Sequence, residues 1–159
     1  VQKAFDYDRK VVVEAFIEGF EVECAVLGNA HPKATIAGEL AVEADYYDFE
    51  TKYLHHSRTT LHIPARVDDQ TMERIRQLAL KAYRALECEG MGRVDIFVTP
   101  EKELYINEIN TIPGFTDMSM YPMLWRHEGL PTAQLIDELV RLAFERHRRQ
   151  KQYLLQVRS

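Results

Sequence analysis

Residues 93–110, RVDIFVTPEKELYINEIN, decide how this chain is to be read. Two runs rich in β-branched and aromatic residues, 93–99 and 104–110, flank a four-residue turn at 100–103, and that pattern predicts a β-hairpin. Side chains two apart in a strand share a face, so Arg93 and Asp95 point one way on the first arm, and Glu108 and Asn110 do so on the second. Pairing the arms through a turn near Lys102 can bring a guanidinium, two carboxylates and an amide onto one patch of sheet. Oxygen donors without cysteine or histidine suit a hard cation, and Mg2+ is commonly held by one or two carboxylates plus substrate phosphates. Taken pair by pair, the same residues read first as a cross-strand salt bridge of Arg93 with Asp95 or Glu108 on a solvated face, since structural ion pairs are common in strands. The second arm runs into TIPGFT, residues 111–116, where the bare backbone of Gly114 can approach a ligand and donate N–H bonds.

Upstream, residues 10–16 (KVVVEAF) are rich in β-branched side chains, and residues 20–28 (FEVECAVLG) alternate Phe20, Val22, Cys24 and Val26 against Glu21, Glu23 and Ala25. Both read as strands, with Glu18-Gly19 turning between them. Residues 34–42 predict a third strand, interrupted by Gly38. The polar, aromatic and aperiodic stretch 43–58 (EADYYDFETKYLHHSR) is long for a loop in a compact domain and reads as a binding loop. A short strand is expected at 59–65. Residues 69–86 then place Met72, Ile75, Ala79, Ala82 and Leu86 on one helical face, opposite Glu73, Arg76 and Arg84. Downstream of the hairpin, 111–122 reads as loop and 132–146 as a second amphipathic helix, with Thr132 as N-cap. A basic tail from His147 is expected to fray.

With 159 residues, 46% of them hydrophobic, the chain has material for one domain or part of a larger one. Its net charge of -5 gives no attraction for a polyanion such as DNA, so a small-molecule partner is expected and a nucleic acid is not. Cys24 and Cys88 lie far apart in apolar surroundings, as reduced core residues of a cytosolic protein do. No apolar run reaches the ~18 residues of a membrane helix, and no signal peptide opens the sequence. The first residues, VQKAFDYDRK, read as the middle of a helix-loop passage, so a piece of a longer chain is expected. The histidines share no zinc-ligand spacing, and Met118, Met120 and Met123 suit gap filling.

The segment GMGRVDIF, followed by YINEINTIPGFTDMSMYP, resembles the signature of the D-alanine:D-alanine ligases of the ATP-grasp superfamily. The resemblance extends back through VVVEAFIEGFEVECAVLG and DYYDFETKYL, covering residues 11 to about 146. It implies an α+β fold, the ATP-grasp C-terminal lobe: a mainly antiparallel sheet with packed helices. Residues 1–18 would end the central lobe and form the hinge, 19–147 would form the Mg-ATP-binding lobe, and 148–159 the basic tail.

Read through that resemblance, Asp95, Glu108 and Asn110 would coordinate two Mg2+ ions (Mn2+ being an alternative) that bridge the phosphates of ATP, the co-substrate, with Glu108 shared. Arg93 and the Gly114 N–H would face the oxyanion of the tetrahedral intermediate. The backbone edge at Glu14, Ala15 and Ile17 would bind adenine, Glu21 the ribose hydroxyls, and Tyr46 and Phe97 would flank the base. Lys52 would reach the phosphates and Tyr53 would close over the substrate. Ser119 would bind the carboxylate of the second D-alanine, with Met120 lining the pocket around its methyl group. On pattern alone, Glu14 and Glu21 read as the outward face of a half-buried strand, and Tyr46 and Phe97 equally as core aromatics.

The implied activity is ATP-dependent ligation of two D-alanines through an acyl phosphate, for peptidoglycan in the bacterial cytoplasm. D-alanine:D-serine or D-alanine:D-lactate ligation is the alternative within the class, and a non-catalytic nucleotide-binding fragment the alternative outside it. The family's serine- and glycine-rich phosphate loop, the lysines of the preceding lobe and the N-terminal region for the first D-alanine are missing from the sequence. The partners implied are therefore D-alanine, ATP and an N-terminal half of the same enzyme, which as a whole would be a homodimer away from any membrane. The fragment alone is expected to be inactive.

Overall fold

The hairpin expected at residues 93–110 forms, and it closes one edge of a larger sheet. In the computed structural model, which describes residues 1–42 and 59–156, five strands are joined in one sheet. They are β1 (Phe20–Gly28), β2 (Lys33–Val42), β3 (Thr59–His62), β4 (Gly90–Val98) and β5 (Leu104–Asn110). Their order is β3-β2-β1-β4-β5, and every neighbouring pair is antiparallel. The helices are α1 (Gln2–Phe5), α2 (Asp69–Ala85), α3 (Met120–His127) and α4 (Thr132–Gln156). The expected α+β architecture, an antiparallel sheet with packed helices, is what the residues build.

The two faces of the sheet have different covers. Val22, Cys24 and Val26 of β1 and Val94, Ile96 and Val98 of β4 turn toward α2, whose Ile75, Ala79 and Tyr83 are fully buried against them. Asp68 caps α2 by accepting from the Thr71 N–H at 2.8 Å, and the ammonium of Lys102 in the β4–β5 turn lies 2.8 Å from the same carboxylate. Those contacts hold the Asp68 carboxyl well below its usual range. On the opposite face, Ala25 and Leu27 meet Tyr121, Leu124 and Trp125 of α3 and Leu135 and Leu142 of α4. Because α3 and α4 cover only this end of β1, the end carrying Glu21 and Glu23 is left to another use.

Several expectations need correction. Residues 10–16 form no strand: Val12, Val13 and Phe16 are 80%, 79% and 92% exposed, and β propensity without a paired neighbour does not make one. The loop predicted over 111–122 ends at Ser119, because α3 begins at Met120. Its Pro122 sits in the first helical turn, where the missing N–H would have no intrahelical partner. The tail does not fray at His147: α4 continues to Gln156, and Arg146 and Arg149 both pair with Glu89. β3 is shorter than expected, and β4 starts earlier, at Gly90. Gly38 does not weaken β2. A Cβ there would stand 2.5 Å from the Met120 sulfur, so the glycine lets α3 press onto the sheet.

Both cysteines are free, as expected, and burial pushes the Cys24 thiol up to about 12. No helix among the described residues is long and apolar enough to cross a membrane.

Candidate functional site

Three rows of side chains cross β1, β4 and β5 on the face that α3 and α4 leave open. Cα pairing puts Glu23 opposite Asp95 and Asp95 opposite Glu108. The next row holds Ala25, Arg93 and Asn110, and the row on the other side holds Glu21, Phe97 and Tyr105. Directly opposed side chains in an antiparallel pair have Cβ atoms roughly 4.5–5.5 Å apart, so each row is a contact row. The register slips between Asp95 and Ile96, leaving Asn107 as an extra residue. This bulge re-aims Asn107, whose amide donates to Glu21 Oε1 at 2.8 Å.

The centre of the patch is a shared charge. Arg93 grips Asp95 with a fork, Nε to Oδ1 at 2.7 Å and a terminal nitrogen to Oδ2 at 2.6 Å. Asp95 is 4% exposed and Glu23 is 6% exposed, so one guanidinium serves two buried carboxylates. Arg93 Nε lies 3.3 Å from Glu23 Oε2, yet that oxygen accepts no hydrogen bond among the described residues. Burial pushes the Glu23 carboxyl up to about 7; Arg93 opposes the shift, while Asp95, Glu21 and Glu108 add to it by like charge. Glu108 is exposed and Asn110 half-buried, so the β5 edge of the patch is open to a ligand.

The turn after β5 is built from its own side chains. Asn110 Oδ1 accepts from the Ile112 N–H at 3.0 Å. Ser119 Oγ accepts from the Thr116 N–H at 3.0 Å and lies 2.9 Å from the Thr116 hydroxyl. A Cβ on Gly114 would come within 2.9 Å of that Ser119 oxygen, so the structure brings these two expected site residues side by side. Ser119 is the N-cap residue of α3 but makes no side-chain cap bond, so among the described residues no cap side chain occupies the first N–H groups of the helix. Met120, its neighbour, turns away into the apolar layer between α3 and the sheet and is 5% exposed.

Arg93, Asp95, Phe97, Glu108, Asn110 and Glu21 thus share one face, and Gly114 and Ser119 share the turn beyond it. Glu14 and Ala15 are exposed and Ile17 is half-buried in the irregular segment before β1, and none of their side chains hydrogen-bonds to the patch among the described residues. Tyr46, Lys52 and Tyr53 lie outside the described residues. Glu23 and Asn107 were missed. Nothing in a period-2 pattern separates Glu23 from a solvated glutamate, and Asn107 joins the face only through the bulge.

Among the described residues no three or more His, Cys, Asp or Glu side chains are grouped to hold a metal by themselves. Asp95, Glu108 and Asn110 offer two carboxylates and an amide, an all-oxygen set with room for phosphate and water ligands. That incomplete set fits Mg2+, which dehydrates reluctantly and seldom occupies an all-protein cage.

Residues 1–141 match the family model described as D-ala D-ala ligase C-terminus. The D-alanine--D-alanine ligase A of Escherichia coli (strain K12) is 49% identical over 147 residues, covering 92% of this chain and 40% of its own length. The chain thus spans about two fifths of such relatives. Among solved structures, the D-alanine-D-alanine ligase from Coxiella burnetii superposes with a TM-score of 0.83 at 40% identity, covering 99% of this chain and 42% of its own. The VanG D-Ala:D-Ser ligase from Enterococcus faecalis does so with a TM-score of 0.78, also at 40% identity, covering 89% of this chain and 41% of its own.

Proposed function

Since the chain belongs to the D-alanine--D-alanine ligase family, as its C-terminal part, we propose that it forms the cation- and phosphate-handling wall of an enzyme that joins two D-alanines at the expense of ATP. The observation that carries this reading is the opposed pair Asp95 and Glu108, flanked by the pair Arg93 and Asn110, on one face of the sheet.

Asp95, Glu108 and Asn110 are the residues that would hold Mg2+, with Mn2+ as a substitute; the bound ions would neutralise charge on the ATP phosphates. Every other contribution belongs to the chain. Arg93 presents a fixed guanidinium toward charge that develops in acyl transfer, and the Gly114 N–H adds a neutral donor beside it. Ser119 and the free N–H groups that open α3 meet the carboxylate of the second D-alanine, with Met120 as the apolar floor behind them. Phe97 packs against adenine and Glu21, steadied by Asn107, takes the ribose hydroxyls. Glu14, Ala15, Ile17, Tyr46, Lys52 and Tyr53 complete the nucleotide and substrate contacts when the preceding lobe is in place. The cellular setting of this reading is the bacterial cytoplasm and peptidoglycan synthesis, with the whole enzyme a homodimer.

The test is phosphate release by the whole enzyme with ATP and Mg2+, with and without D-alanine. Release should require D-alanine, and Glu108→Gln should lower kcat roughly 100- to 1000-fold, the usual loss when a group meeting transition-state charge is removed. Release that ignores D-alanine, or a Glu108→Gln enzyme with near-normal kcat, would refute the assignment. A competition between D-alanine and D-serine decides the second substrate, since relatives of both kinds resemble this chain at 40% identity.

A further inference from the structure

Glu23 has no task in the reaction above, and its position is costly. A carboxylate that is 6% exposed normally collects hydrogen bonds, yet Oε2 of Glu23 has none among the described residues. Its cation is 3.3 Å away, and the fork of that cation is taken up by Asp95 at 2.6 and 2.7 Å. If Asp95 gives its oxygens to a divalent cation, the fork loses its acceptors and the guanidinium meets a like charge. It then needs a new anion within reach. Glu108 and Asn110 belong to the same cation-holding set, and Glu21 is engaged by Asn107. Glu23 is the acceptor that is left, already beside Nε. The residue paired with Arg93 on β1 is Ala25, whose methyl leaves space for the guanidinium to lean along the strand toward Glu23.

We propose that Glu23 is the positioning residue of Arg93: as Asp95 turns to the cation, the guanidinium passes from Asp95 to Glu23, which keeps it aimed across the open face. This rests on reading Asp95, Glu108 and Asn110 as the cation-holding residues. The exchange makes and breaks hydrogen bonds only. It also accounts for a buried oxygen that accepts no hydrogen bond among the described residues. Glu23 does not touch substrate in this scheme. It acts through Arg93.

The side-chain Nε–H of Arg93 reports the exchange directly. In a 1H–15N spectrum of this chain its signal is assigned by its loss in Arg93→Lys, and its hydrogen exchange is followed before and after addition of excess MgATP. In the unmodified chain the signal should shift on addition yet stay protected, because Glu23 replaces Asp95. In Glu23→Gln it should be protected without MgATP and exchange about tenfold faster or more with it, since a charge-assisted hydrogen bond is worth at least that factor in the opening equilibrium. Glu23→Asp, one methylene shorter, should fall between the two and serves if the glutamine variant does not fold. Equal protection in the unmodified chain and both variants overturns the proposal, provided that the backbone amides of Glu108 and Asn110 respond to MgATP. If those amides do not respond either, the cation-holding assignment fails first and takes this proposal with it.

Discussion

Replacing Glu23 by glutamine should make the ligand-free chain more stable at neutral and alkaline pH, although the change removes one half of an ion pair. Burial raises the Glu23 carboxyl from 4.5 to about 7, and the attraction of Arg93 is already part of that balance. The folded chain therefore binds the proton more tightly than the unfolded one. The stability associated with it is fully present below the unfolded value of 4.5 and is lost as pH rises through about 7. At about 1.4 kcal/mol per pKa unit, the loss by about pH 8 is on the order of 3 kcal/mol. Glutamine imitates the protonated acid in shape and charge and does not incur it. Urea unfolding followed by the fluorescence of Trp125, the only tryptophan, measures the difference. In metal-free buffer the glutamine variant should exceed the parent by about 2–3 kcal/mol at about pH 8 and match it near pH 4.5. A variant less stable at alkaline pH, by the several kcal/mol of a broken buried pair, would show that the Glu23–Arg93 attraction outweighs burial. An offset that is the same at both pH values would show that Glu23 ionisation is not involved.

Other consequences are as direct. Asp68→Ala should cost about 1–2 kcal/mol of stability in the same urea assay by removing the α2 cap; an unchanged midpoint would mean that the cap is replaced by water without loss. Gly38→Ala must displace the Met120 sulfur from a position 2.5 Å from the new methyl group. It should cost about 1–3 kcal/mol. Met120→Ala empties the same space and should cost about 2–5 kcal/mol. The double variant should be less destabilised than the sum by at least about 0.5 kcal/mol, and strict additivity would show that the two positions do not touch. Finally, the 159-residue chain alone, given ATP, Mg2+ and D-alanine, should release phosphate only at background, because it holds one wall of a site that must be closed to exclude water. Clear turnover would contradict that.

What could be read from the sequence follows from which interactions are local. The hairpin at β4 and β5 was legible because strand period and turn length act within eighteen residues, and the same period put Arg93, Asp95, Glu108 and Asn110 on one face. Helix α2 was legible for the same reason, its apolar stripe being a property of one segment. Two of the errors concern pairing with something distant. Residues 10–16 have the composition of a strand, but composition supplies no neighbour. The tail beyond His147 looked frayed because its stabilisation comes from Glu89, about sixty residues earlier, which receives both Arg146 and Arg149. Helix α3 was hidden by Pro122, which breaks a helix in its middle and is harmless in its first turn.

Glu23 is the clearest case of that division. Along β1 it alternates with apolar residues just as Glu21 does, and alternation alone assigns both to a wet face. The two differ by what is packed around them. Glu21 stays half-buried and finds Asn107, whereas Glu23 falls in the row of Asp95 and Glu108, beside the arginine of the next row, and is 6% exposed. Burial is set by three strands together and has no local signature. Glu23, raised by burial and with one oxygen that accepts no hydrogen bond among the described residues, stands beside an arginine committed to Asp95, and there stability and function pull in opposite directions. Glutamine at this position should therefore separate them, giving a sturdier chain in which Arg93 has no anion to turn to once Asp95 is engaged.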